Sequence, residues 1–260
     1  MNDFKTVKYE QDGSVGIITI NRPESMNSFN ARLRHELLEV CQLSTNDDSL
    51  RTIVLTGEGQ LFSAGADLKD GGAANKSLYD ILLNEFRPIF DCIINAQQPF
   101  IAAINGSASG IGLSFALTCD LIIMADNAFM LSPFTTISLI PDGGMNWYLV
   151  HQLGYQRAFQ LSIESERVSA SRCVDLGLAN KMVSSDNLLN ESVDWAKRLA
   201  KRAPLSVSAT KKVMRYASHR SWSETFDMEA KIQQELGNSD DFREGVTAFL
   251  QKREPVFKGK

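Results

Sequence analysis

Two glycine-bearing segments and one aspartate supply residue types from which an anion-stabilising site can be assembled. "FSAGADL" (62–68) follows one apolar run, and "SGIGLSFAL" (109–117) opens another. A backbone N–H at the start of a helix, joined by a second from a nearby loop, can hold an oxygen that becomes negative in a transition state, with the helix dipole assisting. The spacing offers the N–H of Ala66 from the first segment and that of Ile111 from the second. Taken alone, each segment reads more readily as a tight turn, because glycine commonly serves backbone geometry. Their pairing in this order strengthens the functional reading. A third stretch, "SLIPDGGMNW" (138–147), wedges Asp142 between a proline and two glycines. Locally, Asp142 is either a turn residue or an acid able to move a proton.

Other chemistries fit less well. "GSASGIG" (106–112) has glycines at dinucleotide-like spacing, but it comes after four candidate strands, whereas a dinucleotide loop should follow the first. None of the five tyrosines has lysine four residues on, the nearest approach being Tyr216 with Arg220. The proton-moving pair of a short-chain dehydrogenase is therefore missing. "GEGQLF" lacks the Lys-Ser/Thr ending of a phosphate-binding loop. Asp67 adjoins a proposed donor and is expected to serve the loop, not to act as a base; Asp120, at a helix-to-strand turn, is expected to be structural. His35, His151 and His219 lie in helical or surface-like contexts and are assigned no catalysis, while Met145, Trp147 and Tyr148 are read as packing near a pocket.

The elements that must carry these residues follow an α/β pattern. "VKYEQDGSVGIITIN" reads as a hairpin around Asp12-Gly13, and "NARLRHELLEVCQLS" as a helix capped by Asn30. Strands are expected at 52–57, 100–104 and 121–125, with helices over about 78–96 and just after Gly110. Near-continuously apolar strands alternating with helices indicate a parallel sheet covered by helices. From 144 onward the chain reads mostly as helices, with Ser169 and Asp186 as N-caps and Pro204 as a boundary. The division expected is an α/β core over 1–195 and a helical C-terminal region over 196–260. The basic runs "KRLAKR" and "KKVMRYASHR" are read as solvated helix faces.

Composition limits the partners. The chain has 260 residues, 43% of them hydrophobic, enough for a sizeable core. With 27 basic against 31 acidic residues the net charge is −4, which gives no electrostatic reason to expect nucleic acid. The cysteines Cys41, Cys92, Cys119 and Cys173 are scattered without histidines at ligand spacing, so neither a metal site nor a disulfide framework is suggested. No apolar run reaches membrane-spanning length, the N-terminal stretch lacks a signal core, and the final "KGK" is no peroxisomal address. The expectation is a soluble, cytoplasmic protein with no membrane partner.

Four stretches in combination, "ITINRPESMNSFN" (18–30), "GEGQLFSAGADLK" (57–69), "PFIAAINGSASGIGLSFALTCDLIIMAD" (99–126) and "DFREGVTAFLQKREPVFKGK" (241–260), resemble the crotonase, or enoyl-CoA hydratase/isomerase, family over almost the whole chain. The resemblance implies a spiral of repeated ββα units with a helical C-terminal trimerisation region, a homotrimer or dimer of trimers, and an acyl-CoA thioester as substrate. It implies that Ala66 and Ile111 donate to the thioester oxygen and that the loop of Ala64, Gly65, Asp67 and Leu68 approaches the adenine end of CoA. Phe257 or Lys258 would reach a neighbouring subunit's CoA site. Ile111 departs from the family, which usually has glycine there; the N–H survives any non-proline residue, but the side chain bears on pocket shape.

By the same resemblance, the two glutamates of the hydratases fall at Ser114 and Phe134. A serine is a poor acid or base and phenylalanine has no exchangeable proton, which makes efficient hydration doubtful. Ser114 remains able to hold a water or a substrate oxygen. Asp142 sits where several isomerase branches carry their acid, and "LIPDGG" with the closing segment resembles the bacterial phenylacetate-pathway isomerases in particular. The expected activity is enoyl-CoA isomerisation with Asp142 as proton shuttle and no cofactor beyond substrate CoA. The alternatives are a hydratase-like enzyme using Asp142 with Ser114 and water, and a non-catalytic acyl-CoA-binding paralogue.

Overall fold

The structure is a computed structural model that describes residues 4–70 and 77–260. The chain opens with the expected hairpin: β1 (Val7–Asp12) and β2 (Val15–Ile20) pair antiparallel, and Gly13 at φ 61° takes the turn. There follow α1 (Ala31–Thr45), β3 (Thr52–Gly57), α2 (Leu78–Ile81) and α3 (Arg87–Asn95). The middle of the chain adds β4 (Phe100–Ile104), β5 (Ser107–Ser109), α4 (Ile111–Thr118), β6 (Leu121–Ala125) and β7 (Phe129–Leu131). The remainder comprises α5 (Met145–Leu153), α6 (Tyr155–Glu164), β8 (Val168–Ser169), α7 (Ala170–Asp175), β9 (Lys181–Val183), α8 (Leu188–Ala200), α9 (Pro204–Ala217), α10 (Trp222–Gly237) and α11 (Asp240–Gln251).

β1-β2-β3-β4-β6-β9 form a six-stranded sheet, parallel from β2 to β9. β3 and β4 are buried at every position, as strands covered on both faces must be. A smaller layer joins β5, β7 and β8. It continues through single parallel bridges from Ser63 to Ala108 and from Phe29 to Ala66. The same unit therefore repeats: β2, β3, β4 and β6 each lead into a segment of the second layer and then into a helix.

Local chemistry explains the boundaries. The Asn30 side chain accepts from the Leu33 N–H and starts α1; that of Ser169 accepts from the Arg172 N–H and starts α7; Pro204 occupies the first turn of α9. The stretch expected as one helix over 78–96 is helical, with a π-segment over Leu82–Phe86 between α2 and α3. Pro88 lies just beyond it, lacks an N–H, and crowds the carbonyl of residue 84, so the helix widens there.

Two expectations are corrected. Asp186 is not an N-cap: it lies inside the 3₁₀ turn Ser185–Asn187, and α8 starts after it at Leu188. The region after 144 is mostly helical, as expected, and also carries β9, which extends the main sheet beside β6. Three residues are too few to show a period of two, so only pairing reveals that strand. Finally, "KKVMRYASHR" is not a purely solvated face. Lys211 and Arg215 turn inward onto Asp120, with N–O distances of 2.8 Å each. α8 runs across residue 195 and packs against β3 and β4.

Candidate active site

The two glycine-bearing loops lie against each other because adjacent second-layer segments pair there. Ser63 N donates to Ser107 O at 3.0 Å and Ser109 N to Ser63 O at 2.9 Å. Gly65, at φ 101°, is in a region that L side chains rarely adopt, and a Cβ there would lie 3.0 Å from Ser109 O and 3.6 Å from Ile111 N. Only glycine lets the Ala66 strand come this close to the start of α4.

The amides of Ala66 and Ile111 are among those in these loops that have no acceptor. Ala64 N donates to Met26 O, Gly65 N to Ser63 Oγ and Asp67 N to Phe29 O. In the parallel bridge to Phe29, the Gly65 carbonyl and the Asp67 N–H are the groups used, so the Ala66 N–H points to the opposite side. Among the described residues it has no acceptor, and Ala66 is exposed. Ile111 is the first residue of α4, where an N–H has no partner within the helix; Gly110 N is taken by Leu131 O, and Ile111 N has no acceptor among the described residues. The Ile111 side chain is 2% exposed and belongs to the hydrophobic core.

One turn further along α4 stands Ser114, fully buried, with its Oγ donating to the Asp142 carbonyl at 2.8 Å. Met145 N donates to the same carbonyl at 3.1 Å. Gly143, at φ 60°, presses its Cα so closely on α4 that a Cβ would meet Ser114 Cβ at 2.8 Å and Phe90 Cζ at 2.9 Å. The Asp142 loop is thus pinned by its backbone. Its carboxyl is not: Oδ1 is buried and has no hydrogen-bond partner. Burial pushes the carboxyl pKa up to about 6, with its own backbone N–H only partly offsetting the effect.

The remaining candidates are placed as follows. The Phe134 ring is buried over Gly110, 3.9 Å from where a Cβ would stand there. Asp67 faces away from the two amides: its Oδ2 pairs with Arg22 at 3.0 Å and its Oδ1 accepts from Lys69 N at 3.1 Å. Burial works against its ionisation, but Arg22 and the Lys69 amide outweigh it and hold the carboxyl below the ordinary range. Leu68 is 78% exposed at the mouth of the loop. Phe257 lies against Gly245 and Lys258 N donates to Asp241 Oδ1, so the C-terminal tail is held to α11 of its own chain.

Sequence reasoning missed Arg22, which fixes the Ala66 loop through Asp67, and Phe90, which with Ser114 leaves no room for a side chain at 143. Arg22 lies within the "NRPESMNSFN" stretch, but nothing in its spacing names Asp67 as partner. A mostly apolar cavity of about 490 Å³ opens beside Gly143 and Gly144, lined by Leu82, Phe86, Phe90, Trp147 and Tyr148 among others. Another, of about 250 Å³, lies between Leu50, Arg51, Pro204 and Lys258; neither cavity is lined by Ala66, Ile111 or Asp142.

Comparison with known proteins shows the family and the fold. Residues 10–260 match the family model described as enoyl-CoA hydratase/isomerase. A probable enoyl-CoA hydratase of Rhodobacter capsulatus is 37% identical over 99% of both chains. The 1,2-epoxyphenylacetyl-CoA isomerase of Escherichia coli is 33% identical over 94% of both. Among solved structures, an enoyl-CoA hydratase subunit from Geobacillus kaustophilus superposes with a TM-score of 0.93 at 33% identity, covering 100% of each chain.

Proposed function

The chain belongs to the enoyl-CoA hydratase/isomerase family and has its crotonase fold, and from that premise we propose that it is an enoyl-CoA isomerase with Asp142 as the proton shuttle. The observation that carries this reading is the buried, unpartnered Oδ1 of Asp142, whose backbone carbonyl is held by Ser114, one helical turn along α4 from Ile111. The N–H groups of Ala66 and Ile111 take the thioester oxygen. Asp142 removes a proton from Cα; the C–H electron pair moves into a dienolate whose charge rests on that oxygen; the same carboxyl returns the proton at Cγ as the thioester carbonyl reforms. The reaction is internally balanced and uses no resident cofactor.

The cavity lined by Gly143, the residue after Asp142, supplies an apolar, aromatic-lined space for the acyl tail. The loop of Ala64, Gly65, Asp67 and Leu68 receives the CoA end. Exposed Trp222, Phe226, Phe249 and Leu250 on α10 and α11 give the C-terminal helices the apolar surface that a homotrimer would cover.

A hydratase reading is favoured by the name of the Rhodobacter relative. Against it stand Ser114, whose hydroxyl is already donated to Asp142, and Phe134, which offers no proton. The test gives the purified protein crotonyl-CoA, 3-hexenoyl-CoA and a ring-derived CoA thioester in parallel, then repeats the set with Asp142→Asn. Isomerisation of 3-hexenoyl-CoA, lost by about two to four orders of magnitude in the variant, is expected. Turnover of crotonyl-CoA alone would reject the isomerase, and undiminished isomerisation by the variant would reject the aspartate.

A further inference from the structure

We propose that Ser114 is a positioning residue that holds the acid at 142 by its backbone, leaving the carboxylate free to exchange a proton. The inference rests on the reading of Asp142 as shuttle and adds to it how the shuttle is kept in place. A buried carboxylate can be fixed directly, by donors to its oxygens, or indirectly, through the peptide that carries it. Direct fixing satisfies the charge and lowers the pKa, which makes a poorer base. At Asp142 the donors converge instead on the main-chain carbonyl, from Ser114 Oγ at 2.8 Å and Met145 N at 3.1 Å. The side chain keeps a buried Oδ1 with no partner.

The clamp is also steric. Gly143 follows at φ 60°, and the place a Cβ would take there is filled by the Ser114 side chain and the Phe90 ring, so the loop lies tight against α4. Ser114 is fully buried, and its own backbone N–H is used within the turn, donating to Gly110 O at 3.4 Å. The helix that presents the Ile111 amide therefore also sets the position of the acid, by a residue three positions on. This makes the distance between oxyanion donor and base a property of one rigid element. The residue's part is mechanical: it meets the loop and not the substrate.

Ser114→Ala removes the hydroxyl but leaves Met145 N on the Asp142 carbonyl, so the fold survives and the loop loosens. The experiment measures turnover of 3-hexenoyl-CoA by Ser114→Ala, Asp142→Asn and the double variant. Alongside it, the Asp142 carboxyl is titrated by carbon NMR in wild type and Ser114→Ala, the signal being assigned by its loss in Asp142→Asn. A fall in kcat of about tenfold with KM within about twofold is expected for Ser114→Ala, as for one lost positioning hydrogen bond. That fall is absent in the Asp142→Asn background, since the residue acts through the aspartate. The titration midpoint drops by about one pH unit as water reaches the loosened carboxyl. An equal loss in both backgrounds, a rise in KM alone, or an unmoved midpoint overturns the proposal. If Asp142→Asn itself turns over normally, the shuttle reading fails, and the midpoint in Ser114→Ala still decides whether Ser114 positions the acid.

Discussion

Asp120 and Asp142 are both tied to α4, and the protein treats them oppositely. Asp120, two residues past the end of the helix, is surrounded by donors: Lys211 and Arg215 at 2.8 Å each, and Phe100 N at 2.8 Å. It links β4, β6 and α9. Asp142, tied to the first turns of the helix through Ser114, has its donors on the main-chain carbonyl and none on Oδ1. The same side chain is thus a structural clamp where cations converge and, in the proposed mechanism, a proton carrier where burial leaves it alone. What separates them is the company each keeps, which residue type and local spacing do not disclose.

The contrast is sharpest under neutralisation. Asp120→Asn strands Lys211, whose side chain is 6% exposed, without its counter-charge, and is expected to cost about 3–5 kcal/mol of stability in denaturant unfolding. The kcat of whatever remains folded should stay near wild type. A stable Asp120→Asn protein would show that the clamp contributes little.

Asp142→Asn should do the reverse. Because the folded-state pKa is raised to about 6, the contribution of Asp142 to stability is fully present below the unfolded value and lost as pH rises through about 6. The variant is therefore expected to be more stable than wild type at pH 8, by on the order of 2 kcal/mol, and no more stable near pH 3. In wild type, kcat/KM should fall about tenfold per unit as the pH drops below about 6, since proton abstraction needs the ionised form. A pH profile flat down to 4 would remove Asp142 from that role.

Asp67 supplies the smallest and intermediate case. Its carboxylate is paired with Arg22, which fixes the Ala66 loop. Asp67→Asn should cost about 1 kcal/mol in stability and shift KM more than kcat. A collapse in kcat with KM unchanged would place Asp67 in the proton transfer beside Asp142.

Much of the scaffold was legible because its signals are local. The hairpin at Asp12-Gly13, the Asn30 cap, the apolar strands 52–57, 100–104 and 121–125 and the helix opening at Ile111 each rest on a few neighbouring residues. β9 and the 3₁₀ turn around Asp186 were not, since three residues carry too little pattern. The basic run of α9 misled for a related reason: helical spacing gives the face of a side chain but not what waits opposite, and Asp120 was waiting for Lys211 and Arg215. At the site, the segments containing Ala66, Ile111 and Asp142 were readable as candidates. The contact of Gly143 with Ser114 and Phe90 was not, because it joins residues from three separate elements.

The sequence by itself determined which amides and which acid were available: glycines that permit close approach at 65 and 143, an N–H kept at Ile111 despite its side chain, and a carboxyl at 142 with none at 114 or 134. Only the tertiary structure decided which of them were free. Whether an N–H or a carboxylate oxygen is spent depends on what packs within about 3 Å of it, and those partners lie in distant parts of the chain. Desolvation raises the pKa of Asp142 because the loops around it close without offering its carboxylate a partner charge, and no reading of neighbouring residues along the chain contains that enclosure.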